Sequence, residues 1–235
     1  MKQIKPNIYL LESGKFVNIY AIVRGNGVLL IDTATPGKAG NILTELSEIN
    51  VKPSDVKAIV ITHAHPDHAG SSAALVDKTH AGLYIHKYDL DILLGKAMFP
   101  KPRYLAGKIF TFITKHFWEY IPQKEAIALD EDAVIPGFED LKVIPTPGHT
   151  PGSISIFDAT ASVLFCGDAI DNRSGKITGP NKYFTVNTVN MEQAWQSVAK
   201  IGALSFDTLC PGHGIWIADG GQKRVQDLLL VSKPD

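Results

Sequence analysis

Long apolar runs, a cysteine framework and a surplus of charge of either sign are all missing from this sequence, and each absence removes a class of function. Of 235 residues only two are cysteine, Cys166 and Cys210, too few for a disulfide scaffold. Each sits inside an apolar run, SVLFCGD and FDTLCPG, and reads as a buried strand residue of a protein kept in a reducing compartment. Lys and Arg number 23 against 24 Asp and Glu, a formal charge of −1, so no basic excess draws the chain to nucleic acid. No uninterrupted apolar stretch is long enough to cross a bilayer. The opening MKQIKPNIYLLESGKF carries neither the apolar centre nor the small-residue cleavage site of an export signal, and a cytoplasmic location is expected. Nor does any Pro/Ser-rich linker, charge block or low-complexity stretch divide the chain, which predicts one domain over 1–235.

What is present is 45% hydrophobic and 20% charged, enough apolar side chain for a well-buried core. The segments NIYLLE, FVNIYAIVRG and GVLLID, with turn signals at Gly14 and at Gly25-Asn26-Gly27, predict consecutive strands joined by hairpins. In KAGNILTELSEI, Ile42, Leu43, Leu46 and Ile49 fall at helical spacing, and KAIVIT returns to strand character. The alternation continues: GSSAALVDKTH reads as helix, GLYIH, LKVIPT, SISIFD and SVLFCGD as strands, MEQAWQSVAKIGAL as helix and FDTLC as a buried strand. Strands and helices alternating in both halves favour a layered α/β sandwich over an all-β barrel.

From Tyr88 to Glu125 the rhythm breaks. No acid occurs between Ile92 and Trp118, while Lys96, Lys101, Arg103, Lys108 and Lys115 supply positive charge. Within a helix-like run from Tyr104 to Trp118, Leu105, Ile109, Phe112 and Ile113 oppose Lys108 and Lys115. The segment 88–125 is expected to be a lid or wall over the site that selects apolar substrates. A helix packed on the core, a homodimer surface and a membrane-surface contact stay open.

The chemistry concentrates in HAHPDH, residues 63–68, directly after KAIVIT. Four metal-ligating side chains, His63, His65, Asp67 and His68, crowd one strand end with Ala64 and Pro66 as the only spacers. Imidazole and carboxylate both bind zinc at about 2.0–2.2 Å, and short spacing forces several toward a common centre. Three more candidates follow at a distance: His149 in PTPGHTPGS, Asp168 closing SVLFCGD, and His213 in CPGHG. Singly, His149 also fits a hydrogen-bonded loop histidine, and Asp168 a turn or helix cap. Together they repeat one arrangement, a polar residue after an apolar strand and beside a Gly- or Pro-marked turn, as expected of ligands converging at one sheet edge. His80, His86 and His116 lie outside the pattern and receive no role. Arg173, Lys176 and Tyr183 are read as solvent-exposed rather than substrate-binding.

The order HAHPDH, then GHT at 148–150, GD at 167–168 and GH at 212–213, resembles the metallo-β-lactamase superfamily, above all its glyoxalase-II-like and lactonase-like branches. The resemblance covers nearly the whole chain. It implies a four-layer αββα sandwich of two mixed β-sheets flanked by helices, with the metal site at one sheet edge. It also implies that His63, His65 and His149 hold one metal, that Asp67, His68 and His213 hold the other, and that Asp168 bridges them. Asp32, in LLIDTATPG, matches the family's first motif and would support the ligands; it also reads as a turn carboxylate. Two zinc ions per chain are expected, with iron or manganese left open by the donor types. The implied activity is hydrolysis of an ester, thioester, lactone or similar carbonyl in a small molecule. A metal-bridging hydroxide would attack, since bound zinc lowers the pKa of water from 15.7 to about 7, with Asp67 and Asp168 as the catalytic carboxylates.

Departures from the better-known branches narrow the substrate. Glyoxalase II enzymes carry a further C-terminal glutathione-binding region, whereas 22 residues follow His213 here. Acyl-homoserine lactonases place a tyrosine three residues after the bridging aspartate, where this chain has Asp171. The commonest zinc β-lactamases have a cysteine where this site offers Asp168, and superfamily nucleases share HAHPDH without this chain's balanced charge. Two readings from other classes remain, a mononuclear iron persulfide dioxygenase-like oxidoreductase, whose Gly-Cys-Gly signature is missing after Asp168, and a non-catalytic metal-binding protein.

Overall fold

A computed structural model of the chain describes residues 1–100, 121–181 and 188–231. Seven strands form the first sheet in sequence order: β1 (Lys2–Lys5), β2 (Ile8–Leu11), β3 (Ile19–Arg24), β4 (Gly27–Ile31), β5 (Val56–Ile61), β6 (Gly82–His86) and β7 (Ile127–Leu129). The first four pair antiparallel as a meander. From β4 onward the pairs are parallel, because α1 (Ala39–Ser47) and α3 (Ser72–Thr79) return the chain to the same end of the sheet. The second sheet has the order β11-β10-β9-β8, from β8 (Leu141–Pro145), β9 (Ile154–Asp158), β10 (Val163–Gly167) and β11 (Thr208–Pro211). Here β8, β9 and β10 are antiparallel neighbours, and β10 and β11 run parallel. Both sheets are mixed.

The strands read as near-continuous apolar runs because both faces of each sheet are covered. In β3, Ile19 and Ala21 join the outer cluster with Ile42 and Leu46 of α1 and Leu75 of α3. The alternate residues Tyr20 and Ile22 face the space between the sheets, with Val60, Ile156, Val163 and Phe165. On the outside of the second sheet, Leu164, Cys166 and Leu209 meet Val198 and Ile201 of α5 (Met191–Gly202) and Val225 and Leu228 of α6 (Gly221–Val231). The three clusters are the three interfaces of an αββα sandwich. Cys166 and Cys210 are both free and buried, as expected.

Five of the described strands and α-helices were not foreseen: β1, β7, α6, helix α4 (Lys87–Leu93) and the short helix α2 (Pro66–Ala69), which falls inside HAHPDH. The described part of the segment 88–125 opens on α4. This helix buries Asp89, Ile92 and Leu93 in the layered core. The run 104–118, with Leu105, Ile109, Phe112 and Ile113, falls within 101–120 and so lies outside the described residues, as does Tyr183. No described helix is long and apolar enough to cross a membrane.

Candidate metal centre

Sheet topology brings the candidate ligands together. Strands β4 and β5 run parallel, and β8, β10 and β11 share one direction in the second sheet. Their C-terminal ends therefore lie along one edge of each sheet, and a hydrogen bond from Ile154 N to Thr62 O, 2.9 Å, joins the sheets there. The strand ends deliver Asp32 (β4), His63 and His65 (β5), His149 (β8), Asp168 (β10) and His213 (β11).

HAHPDH divides at its proline. Pro66 holds His65 in extended backbone, φ −61° and ψ 145°, and opens the helical turn that carries Asp67 and His68. That helical turn carries Asp67 and His68 toward His213, with His68 still beside His63. Ligand atoms of His63, His65 and His149 lie within 4.8 Å of one another, as do those of Asp67, His68 and His213 and those of His63, His68 and Asp168. His149 Nε2 is 3.0 Å from His65 Nδ1, and His68 Nε2 is 3.2 Å from His213 Nε2. Asp168 faces both groups: Oδ1 lies 3.3 Å from His68 Nε2, and Oδ2 lies 3.5 Å from both His149 Nε2 and His213 Nε2. Asp67 Oδ2 is 3.4 Å from His213 Nε2. All seven residues come together.

Two buried atoms in this cluster, His63 Nε2 and Asp168 Oδ1, have no hydrogen-bond partner. A buried polar atom left unpaired costs about 1–3 kcal/mol, and here each belongs to a metal-ligating group aimed at other such groups. Gly212 keeps the space clear: a Cβ there would stand 2.4 Å from Asp168 Oδ1 and 2.9 Å from His68 Cε1. Donor type, convergence and orphaned atoms all fit bound metal.

The far sides of the imidazoles are held by protein. His68 Nδ1 is 2.8 Å from Asp32 Oδ2, and Asp32 also accepts from Thr62 N and Thr62 Oγ1. His63 Nδ1 contacts Thr62 Oγ1, His149 Nδ1 contacts Thr188 Oγ1, and His213 Nδ1 is bonded to the Phe16 carbonyl. Such partners fix ring orientation and tautomer. Asp32 is therefore a buried support, at φ +62°, and not a solvated turn carboxylate. One carboxylate escaped the sequence reading. Asp89, fully buried on α4, follows the apolar strand GLYIH as the ligands follow theirs, but no Gly-Pro turn marks it.

Charge divides the cluster. Burial pushes the His63 and His65 imidazoles below the usual range, and takes His149 down to about 3, so these three are neutral donors. For His68 and His213, burial is outweighed by Asp168 and its carboxylate neighbours. His68 rises well above its ordinary value and His213 reaches about 9. Burial likewise opposes ionisation of Asp67 and Asp168, and the neighbouring imidazoles override it and hold both as carboxylates.

The remaining polar residues are accounted for locally. His80 caps α3 in left-handed conformation, exposed to solvent, and His86 Nδ1 accepts from Tyr88 N. His116 lies outside the described residues. Lys176 is exposed, and exposed Arg173 pairs with Asp171, 2.7 Å. The residue standing where lactonases place tyrosine is thus a buried carboxylate engaged by its own loop.

Comparison with known proteins agrees with this geometry. The family model described as the metallo-beta-lactamase superfamily matches residues 13–213. The probable metallo-hydrolase YflN of Bacillus subtilis is 30% identical over 220 residues, 86% of this chain and 81% of its own length. A hydroxyacylglutathione hydrolase of Cereibacter sphaeroides is 28% identical over 177 residues, 75% of this chain and 54% of its own. The fold of the metallo-beta-lactamase family protein TTHA1429 from Thermus thermophilus superposes with TM-score 0.72 at 24% identity, covering 97% of this chain and 80% of that one. With the family model spanning most of its length and its ligand set assembled at one sheet edge, the chain belongs to the metallo-β-lactamase superfamily.

Proposed function

We propose that this protein is a two-zinc hydrolase that cleaves an ester, thioester or lactone carbonyl in a small molecule with an apolar arm. The observation that carries the reading is the convergence of seven ligating side chains around the unpaired His63 Nε2 and Asp168 Oδ1. His63, His65 and His149 would hold one ion, Asp67, His68 and His213 the other, and Asp168 both. Bound there, the ions supply a water acidified to near neutrality and polarise a substrate carbonyl.

The chain's own residues do the rest. Asp67 offers a carboxylate oxygen that orients an attacking water. Asp32, Thr62, Thr188 and the Phe16 carbonyl keep four imidazoles aimed at the centre. Apolar side chains stand beside the site on two sides. Phe99 stacks on His65 at 5.6 Å, next to Met98, which is 90% exposed. Phe16, 82% exposed, gives its carbonyl to His213 Nδ1, and Ile215, 59% exposed, follows His213 by two residues. Exposed aromatic and aliphatic surface at a site mouth favours substrates with an apolar part.

The test is metal analysis joined to a substrate panel. Metal-replete protein is expected to carry about two zinc ions and to hydrolyse members of an ester, thioester and lactone series faster as the acyl chain lengthens. Asp168→Asn should lose activity while His80→Ala keeps it. A stoichiometry at or below one would remove the two-metal model, and oxygen consumption with iron bound would replace the hydrolase reading with the dioxygenase one.

A further inference from the structure

Asp89 is a buried carboxylate whose hydrogen bonds among the described residues go to no ligand side chain and yet join the two backbone segments that carry three of them. Its Oδ2 accepts from Ala64 N, 2.9 Å, between His63 and His65, and from Thr150 Oγ1, 2.7 Å, next to His149. Its Oδ1 accepts from Gly152 N, 2.8 Å, in the same turn as His149. The partners are 25, 61 and 63 residues away in sequence. Asp89 itself is wholly buried, and a Cβ at Gly152 would lie 2.6 Å from its Cγ, so the turn is shaped to admit this carboxyl group.

We infer that Asp89 is a positioning residue for one ion of the pair: it sets the separation of the His63–His65 segment from the His149 turn, and so the geometry of the His63, His65 and His149 half-site. The inference rests on the two-metal reading above. Burying a carboxylate is unfavourable unless its oxygens are filled with donors, and here the donors come from the loop after β5 of the first sheet and from the turn between β8 and β9 of the second. Hydrogen bonds to an ionised acceptor are about twice as strong as neutral ones, which makes the link stiff. The reach is one-sided. Asp32 contacts His68 directly and His63 through Thr62, touching both half-sites, whereas the hydrogen bonds of Asp89 among the described residues all lead to the segments of a single half. An asparagine in its place keeps the shape but puts an amide NH₂ against at least one of three N–H or O–H donors.

The experiment measures the affinity of each ion in the purified full chain by equilibrium dialysis, with cobalt spectra of the same proteins. The parent is measured first, and fewer than two bound ions there would overturn the metal reading itself. Given two, Asp89→Asn is expected to weaken one ion about 10–100-fold and leave the other within about threefold. The spectrum of its one-cobalt form should match that of His65→Ala and not that of His213→Ala. Thr150→Val, which removes one donor, should weaken the same ion by a smaller factor, and Thr150→Ser should restore it. If Asp89→Asn does not fold, the Thr150 pair decides alone. Both ions weakened alike, neither weakened, or Val and Ser indistinguishable at 150 would each reduce Asp89 to an ordinary structural carboxylate.

Discussion

Gly212 shows how a single hydrogen in place of a methyl group sustains the centre. Its missing Cβ would fall 2.4 Å from Asp168 Oδ1, the oxygen without a hydrogen-bond partner, so Gly212→Ala must push Asp168 away from its place between the two histidine groups. We expect this variant to fold, to bind less than half the parent's zinc at equal free metal and to lose activity about 10–100-fold, the scale of a disturbed ligand environment. Elemental analysis with circular dichroism checks it, and full zinc content would contradict it. The same residue scale shows what could be read in advance. The seven ligand candidates were legible because imidazole and carboxylate have few uses when crowded at strand ends beside tight turns. Asp89, Thr62 and Thr188 were not. A carboxylate or hydroxyl that serves backbone groups or the far nitrogen of a ring looks in sequence like any other polar residue, and only the fold brings Asp89 against Ala64 and Gly152.

Elements were legible where their burial imposed a pattern. Strands β3, β4, β5, β9 and β10 are buried on both faces and stand out as apolar runs; α1 and α5 show apolar residues at three- and four-residue spacing because one face meets a sheet. Apart from α4, which buries Asp89, Ile92 and Leu93, the elements that went unread bury little. β1 has Ile4 as its one buried residue, β7 exposes two of its three, and α6 buries only Gly221, Val225 and Leu228 while Leu230 and Val231 at its end are exposed, which blurs its helical period. α2 is a single turn set by Pro66. This difference predicts unequal mutational costs. Ile201 on α5 is fully buried between the second sheet and α6, and Ile201→Ala should cost about 2–5 kcal/mol. Leu230→Ala, at a side chain 85% exposed, should fall within about 0.5 kcal/mol of the parent. Chemical denaturation of metal-loaded protein measures both, and equal costs would place α6 and α5 wrongly against the sheet.

At the scale of the whole molecule the proposed ions act as a cross-link. His63, His65, Asp67 and His68 follow β5 of the first sheet, while His149, Asp168 and His213 follow β8, β10 and β11 of the second. The two sheets also meet through the apolar cluster between them, through backbone bonds at this edge such as Ile154 N to Thr62 O and Asn18 N to Gly212 O, and through side-chain links from Asp89, Tyr20 and Arg24. An ion bound only by the folded chain adds stability by mass action, about 4 kcal/mol when free metal exceeds the dissociation constant 1,000-fold. In a domain of this size that corresponds to about 8–16 °C in melting temperature for each ion. Stripping metal with a chelator should therefore lower the melting temperature by at least that amount, and adding zinc should restore it. His213→Ala should retain only part of the zinc-induced rise, since it removes a ligand from one ion, and His80→Ala should retain all of it. A melting temperature indifferent to chelator in the parent would mean that the sheets are held by these other contacts alone and that the histidine cluster contributes nothing to cohesion.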